Sequence, residues 1–283
     1  MSENENAEDL PRRRFLKLSG VAGAAAVLAG AGHNLAAAQP LSPSGVLAPT
    51  PSTECGYTND TDHLWNAVKH CNGGGAGCAA LRRNAVDYVF AGSNFHKPNY
   101  ITVPNERVMG IECPWVTDSN RPNYWQDAWG WAGSAPTTVG AEVGLGINSK
   151  KARSAHQLHI HMATVRSYSL KDVADHDLSA AKSFGDWHKS RVSITGWNST
   201  GKYQTQHVYR VVHVGSFGTV NLFEQLRMMV GQKDMVNQTL IVIPRPSSKG
   251  GGYYIVNSQA SLTGLNLTGS DTCDPLLLIQ DGG

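Results

Sequence analysis

The sequence predicts an α+β protein in which helices pack on an antiparallel sheet and the C-terminal half adds further strands and one helix. Composition is the first observation: 41% of the 283 residues are hydrophobic and 16% are charged, which predicts a packed core. The second is a series of short apolar runs that are typical of strands. The third is their order. Strand, strand, helix, strand, strand is followed by strand, helix, strand, strand, an α+β pattern that suggests two related halves.

Three segments have helical signals. Residues 62–71 place their apolar side chains on one face, and Thr61 or Asp62 is suited to cap the first turn. Residues 123–132, which follow a proline, form a second helix whose tryptophans are predicted to belong mainly to the core. Residues 219–230 have the amphipathic pattern of a third helix.

The strand signals are apolar or alternating runs rich in β-branched and aromatic residues. They cover residues 85–91, 100–103, 141–147, 157–165, 191–194, 207–214, 239–243 and 253–257. The basic loop 149–155 is predicted to join two of these strands as a hairpin-like connection. From residue 167 to residue 206 the signals are weak and polar, which predicts long loops around one short strand.

Residues 1–38 have the order of an export signal and are excluded from the fold. Three arginines begin the segment 12–17, a weakly apolar run covers residues 18–31, and three alanines end at residue 38. This order predicts a twin-arginine signal and export to the periplasm, the cell envelope or the exterior. The apolar run is too short to favour a transmembrane helix, but an uncleaved signal that acts as an anchor stays open. The alternative is a cytosolic protein with a basic arm.

The remaining chain is predicted to form one domain between a linker and a tail. Residues 39–58 are the linker, since their first part is rich in Pro, Ser and Ala. The domain covers residues 59–268, with a core at 85–166 and a C-terminal half at 186–260. Residues 269–283 form the tail. The net charge of +2 is too weak to predict nucleic-acid binding.

Five cysteines lie in the predicted exported part, where disulfides persist: Cys55, Cys71, Cys78, Cys113 and Cys273. One or two disulfides with one thiol left over are expected. A glycine-rich segment separates Cys71 from Cys78 and is flexible enough to let them close a small loop. Cys113 is predicted to be structural rather than a nucleophile, because the local sequence places no base beside it. Cys273 is expected to hold the tail.

The candidate catalytic or ligand-binding side chains lie mainly in the segment after the basic loop. Gln157, His159 and His161 alternate with apolar residues, so on a strand they project from one face. Three interpretations are open: two ligands of a metal site, a structural pair, or a histidine that attacks phosphorus while its neighbours orient it. The loop residues Arg153 and Ser154 favour phosphorus chemistry, because a cation and a hydroxyl suit phosphate oxygens.

Residues 157–162 (QLHIHM) resemble the alternating signature of the histidine-triad hydrolases and transferases. Segments 100–104 (YITVP) and 145–148 (LGIN) extend this likeness. Within that superfamily, the chain is most similar to bacterial CDP-diacylglycerol pyrophosphatases. The matching blocks are residues 64–65, 107–114, 124–129, 146–149, 153–154 and 159–161. One departure is clear: Gln157 stands where the signature has its first histidine, and the adjacent His156 has the wrong strand parity.

The resemblance implies a histidine-triad (HIT-like) fold and an enzyme that cleaves CDP-diacylglycerol to CMP and phosphatidate through a nucleotidyl-histidine. It implies the catalytic residues His159, His161 and Gln157. The substrate-binding residues that it implies are Asn148, Lys150, Arg153 and Ser154. We expect no cofactor and no metal. The expected partner is a nucleotide-lipid substrate. Peripheral contact with a membrane is also expected.

Two alternatives remain open from the sequence. One is a histidine-triad hydrolase or nucleotidyl transferase with a soluble substrate. The other is a secreted protein in which His159 and His161 bind a metal.

Overall fold

A nine-stranded sheet forms the centre of the computed structural model, which describes Cys55 and residues 62–74, 77–92, 98–140, 142–197 and 204–279. Neighbouring strands in this sheet are antiparallel. The strands are β1 (Arg82–Arg83), β2 (Asp87–Ala91), β3 (Asn99–Pro104), β4 (Val143–Ile147), β5 (Ile160–Thr164), β6 (Val192–Trp197), β7 (Gln204–Val214), β8 (Thr239–Pro244) and β9 (Tyr253–Ser258). A separate ribbon pairs β10 (Thr263–Gly264) with β11 (Leu267–Thr268).

The sheet consists of two halves with the same strand order. The full order is β1-β2-β3-β5-β4-β8-β9-β7-β6. From the outer edge to the centre, β2, β3, β5 and β4 follow the sequence first, second, fourth, third. The strands β6, β7, β9 and β8 follow the same sequence, and β4 pairs with β8 where the halves meet. This order agrees with the expectation of two related halves.

Four helices have their bounds within the described residues: α1 (His63–Asn72), α2 (Tyr124–Ala132), α3 (Ser167–Asp175) and α4 (Leu222–Val230). Polar side chains cap three of them, whereas α3 has no side-chain cap. Asp62, Asn123 and Asn221 accept hydrogen bonds from the first-turn N–H groups of α1, α2 and α4. Short 3-10 turns cover Pro114–Thr117, Asp177–Ser179, Phe184–Lys189, Gln232–Asn237 and Ser247–Lys249.

Apolar side chains cover both faces of the sheet. On one face α2 and α4 pack together, with Trp125 against Phe223 at a ring distance of 5.4 Å. On the other face Leu64 and Val68 of α1 pack against β2 and β3. Val173 of α3 and the tail also cover this second face, beside β7, β8 and β9. His161 of β5 lies on this second face, because the residues in register with it, Ile101 and Ile241, belong to the two clusters on that face.

The predicted α+β class with an antiparallel sheet is confirmed. The three predicted helices are present, although the third begins at Leu222 rather than at residue 219. The prediction for residues 167–206 is confirmed for its one short strand, which is present as β6, and is wrong at the start of the stretch, which forms α3 rather than a loop. The strand predicted at 157–165 begins only at Ile160. The export signal, residues 1–38, and nearly all of the linker 39–58 lie outside the described residues.

The disulfide expectation is confirmed. Cys55 pairs with Cys113, and Cys71 pairs with Cys78 across a short loop. Cys113 is therefore structural. Cys273 is a buried free thiol, so it holds the tail by packing rather than by a disulfide.

Candidate active site

His161 lies in a row of directly opposed residues that crosses seven strands, from Phe90 in β2 to β7. Register places Ile101 and Gly146 on either side of it. The row continues from Gly146 through Ile241, Val256 and Val211. Opposed residues in neighbouring strands project from the same face, so His161 is the only polar side chain of this row.

Burial in this apolar row explains the charge state of His161. Both of its ring nitrogens are buried and have no hydrogen-bond partner among the described residues. Burial, helped by neighbouring His159, lowers the pKa of His161 to about 3. His161 is therefore neutral at physiological pH.

His159 is held in one orientation just before β5. Its Nδ1 lies 2.8 Å from the main-chain oxygen of Gln157, and its ring meets the ring of His161 edge-on at 5.1 Å. A carbonyl oxygen only accepts, so Nδ1 carries the proton in the neutral ring and Nε2 keeps a lone pair. Burial lowers the pKa of His159, and the charge of Arg153 acts in the same direction. His159 is thus a neutral imidazole with a defined tautomer.

Gln157 is fully buried, and its polar groups are occupied by protein partners. Its side-chain Nε2 donates to the main-chain oxygens of Pro104 and Glu106, at 3.1 and 2.7 Å. Its Oε1 accepts from Arg107 at 3.2 Å. Its backbone N–H donates to Asp62 at 2.6 Å. The predicted catalytic residue Gln157 is therefore placed where its main-chain carbonyl orients His159.

Arg153 is a buried cation near His159, and it already has an acidic partner. Both terminal nitrogens of its guanidinium donate to the carboxylate of Glu112 at 2.6 Å. The side chain is 2% exposed, and its Nε has no partner among the described residues. Gly110 makes this placement feasible, because a Cβ at that position would lie 1.8 Å from the guanidinium. Glu112 thus fixes Arg153 and leaves its Nε N–H without a partner among the described residues.

Lys150 and Ser154 are exposed on the basic loop, so they are accessible to an incoming anion. Asn148 is buried and turned towards the tail. Its side-chain oxygen accepts from Thr272 Oγ1 at 3.0 Å and from the backbone N–H of Cys273 at 2.8 Å. The structure therefore brings Gln157, His159 and Arg153 together, whereas Asn148 serves to anchor the tail beside them.

Sequence reasoning missed three residues of this site: Asp62, Arg107 and Glu112. Asp62 was expected only as a helix cap, and it also contacts Gln157, 95 residues away. Glu112 contacts Arg153 over 41 residues. No local spacing marks such contacts. The single signal was the position of Arg107 and Glu112 inside one block of the family resemblance.

The prediction that the tryptophans of α2 belong mainly to the core is confirmed. Trp115 and Trp125 are buried in the cluster under α2 and α4, and Trp129 and Trp131 pack against it. Within the described ranges, no group of three His, Cys, Asp or Glu side chains is arranged to hold a metal ion. Among the same residues, no helix has the length and apolar character needed to cross a membrane.

Comparison with known proteins gives one family. A family model described as CDP-diacylglycerol pyrophosphatase matches residues 59–273. The chain is 28% identical over 235 residues to the probable CDP-diacylglycerol pyrophosphatase of Mycobacterium leprae (strain TN), covering 77% of each chain. It is 32% identical over 82 residues to the CDP-diacylglycerol pyrophosphatase of Yersinia pestis, covering 27% of this chain and 32% of the relative. The match to the family model extends over more than half of the chain and includes every site residue described above. The enzyme prediction is thereby confirmed, and the chain belongs to the CDP-diacylglycerol pyrophosphatase family.

Proposed function

We propose that the chain hydrolyses the pyrophosphate bond of CDP-diacylglycerol through a nucleotidyl-histidine intermediate on His159. The observation that carries the proposal is the contact of 2.8 Å between His159 Nδ1 and the Gln157 carbonyl. This contact leaves the Nε2 lone pair as the nucleophile, since the neutral ring has only one N–H.

The first step transfers the cytidylyl group to the protein. Nε2 attacks the phosphorus that is esterified to cytidine, and a bond forms between nitrogen and phosphorus. The bond from that phosphorus to the bridging oxygen breaks, its electron pair stays on the oxygen, and phosphatidate leaves. The ring becomes cationic in this step, so the hydrogen bond from Nδ1 to the Gln157 carbonyl strengthens.

The second step releases CMP. Water attacks the same phosphorus, the nitrogen–phosphorus bond breaks, and its electron pair returns to Nε2. A proton of the water passes to solvent. Neutral His161 touches the ring of His159 edge-on and is suited to hydrogen-bond a phosphate oxygen without adding charge.

Arg153, Lys150 and Ser154 supply the donors that phosphate oxygens need. The Nε N–H of Arg153 has no partner among the described residues, and Lys150 and Ser154 are exposed on the basic loop. A fixed donor that meets charge developing in the transition state contributes about 2.7–4 kcal/mol. Asn148 supports the site indirectly, because it holds the tail against the loop.

We also propose that the enzyme belongs to the histidine-triad superfamily and that a twin-arginine signal exports it. The two disulfides support export, because disulfides persist in oxidising compartments. The substrate is a membrane lipid, so peripheral contact with a membrane is part of the proposal.

The test is incubation of purified protein with CDP-diacylglycerol, with and without EDTA, followed by intact-mass analysis. CMP release should survive the chelator, and a rapidly quenched sample should show a protein adduct with the added mass of a cytidylyl group. His159→Ala should remove both the adduct and the hydrolysis. His156→Ala changes an exposed histidine three residues away and is the matched control. Normal hydrolysis by folded His159→Ala protein would exclude the proposed route.

A further inference from the structure

One carboxylate joins the start of α1 to the segment that holds His159. Asp62 Oδ1 accepts from the backbone N–H groups of Leu64 and Trp65, at 3.0 and 3.2 Å, and so caps the helix. Its Oδ2 accepts from the backbone N–H of Gln157 at 2.6 Å and from Arg107 at 3.1 Å. The side chain is 1% exposed. A helix cap needs only the first oxygen, so the second is available for another role.

The second oxygen acts on the residue that orients His159. The carbonyl of Gln157 holds His159 Nδ1, and the N–H of the same residue is held by Asp62. The two groups lie in consecutive peptide planes, and the second plane is also held by the N–H of Leu158, which donates to the oxygen of Val108 at 2.7 Å. A shift of Gln157 would disturb both contacts. Arg107 reinforces the arrangement, since it donates to Asp62 and to the side chain of Gln157. The direction of the nucleophile is therefore set through Gln157 by Asp62.

The charge of Asp62 also suits the reaction. The other charged or titratable groups near His159 are Arg153, Arg107, His63 and His161, and they are basic. Glu112 is acidic, but its carboxylate is occupied by Arg153. Attack on phosphorus makes the ring of His159 cationic. The carboxylate of Asp62, although it also pairs with Arg107, acts on that ring and opposes the repulsion from Arg153.

We propose that Asp62 is a positioning residue for the reaction: its Oδ2 fixes the backbone of Gln157, and its charge favours the cationic ring that forms when His159 attacks. This inference rests on the proposed function of His159. It explains how the site is organised with Gln157 at the first position of the signature, because the orienting element is a main-chain carbonyl.

The first test compares two caps. Asp62→Ser keeps a hydroxyl that can cap α1 and removes the oxygen that holds Gln157. Its kcat per folded molecule should fall by about 10–100-fold, the size of effect that a misplaced reacting group produces, while KM changes by less than about twofold. Asn221→Ala is the matched control, because Asn221 caps α4 through the same two kinds of contact. It should keep a normal kcat.

Asp62→Ser also removes a charged partner of buried Arg107, so a second variant controls for that effect. Asp62→Asn combined with Arg107→Gln removes both charges together, so no unpaired buried charge remains. The folded double variant should show the same loss of kcat.

The pH dependence of kcat/KM shows whether Asp62 positions His159 or only supports the fold. The informative part is the acidic limb of the profile. Loss of the negative charge lowers the pKa of His159 further, so the limb should move to lower pH in Asp62→Ser. Folded variants with normal kcat would overturn the proposal, and so would a lower kcat with an unmoved limb. If His159→Ala itself stays active, the proposed function fails instead, which distinguishes the two.

Discussion

Asp87 is a buried carboxyl whose ionisation should destabilise the folded protein as pH rises. It is 0% exposed, its Oδ1 accepts from Trp131 Nε1 at 2.9 Å, and its Oδ2 has no partner among the described residues. Burial raises the pKa of Asp87 from 3.8 to about 7, and the nearby charge of Asp127 adds to the rise. The folded state therefore favours the protonated form. Its contribution to stability is present at low pH and is lost as pH rises from about 4 through 7.

The magnitude follows from the two pKa values. One pKa unit corresponds to about 1.4 kcal/mol, so ionised Asp87 destabilises the folded state by about 4 kcal/mol above pH 7. Roughly 2 kcal/mol of this is already present at pH 5, since the unfolded carboxyl is ionised there. Asp87→Asn cannot ionise and keeps an oxygen for Trp131. The variant should gain roughly 2–3 kcal/mol over the wild type between pH 5 and pH 8.

Urea unfolding at pH 5, 6, 7 and 8 would measure this difference. The neutral buried histidines affect the wild type and the variant alike, because their pKa values are lowered in both, so they cancel in the comparison. Asp175→Asn is the control, since Asp175 forms an exposed ion pair with Lys171 and should give a flat difference over this range. Parallel curves for wild type and Asp87→Asn would refute the reasoning.

Two further changes test the surroundings of the site. Glu112→Gln leaves the buried guanidinium of Arg153 without its charge partner, so urea unfolding should show a loss of about 3 kcal/mol. A change below about 0.5 kcal/mol, typical of a surface pair, would contradict the buried contact. Gly146→Ala places a Cβ 2.7 Å from Cys273 Cβ and 2.8 Å from Leu277, so overpacking should reduce stability by about 1–3 kcal/mol and loosen the tail to protease. Cys273→Ala in the same chain removes Sγ, which would lie 2.8 Å from the new Cβ, and should recover part of this loss. No recovery would place the clash elsewhere.

Helix caps and apolar periodicity made much of the fold predictable. Asp62, Asn123 and Asn221 stand at the starts of the three helices that the sequence indicated. α3 was missed because it has no side-chain cap. Its apolar residues are few, and Val173 is buried only by contact with distant strands. Local propensity is too weak to predict such a helix, since tertiary packing stabilises it.

The site residues that lie close together in the sequence were predictable. The spacing of His159 and His161 placed both rings on one face, and their rings do meet. The partners of Gln157 and Arg153 were not predictable, because they come from 41 to 95 residues away. Gln157 was expected as a catalytic residue on the same face as the two histidines. Its side chain is instead occupied by the turn after β3, and only the fold shows that its carbonyl contacts His159.

The two halves of the sheet have the same strand order but differ in the residue at the position of His161. His161 lies opposite Gly146 in β4, and in the other half Val256 lies opposite Ile241 in the corresponding strand β8. Because Gly146 and Ile241 are themselves paired, Val256 occupies the place in its half that His161 occupies in the first. The second half thus has no imidazole at this position. It extends the apolar row beside His161, and burial in that row keeps the ring of His161 neutral. The ring that meets His159 edge-on therefore carries no positive charge.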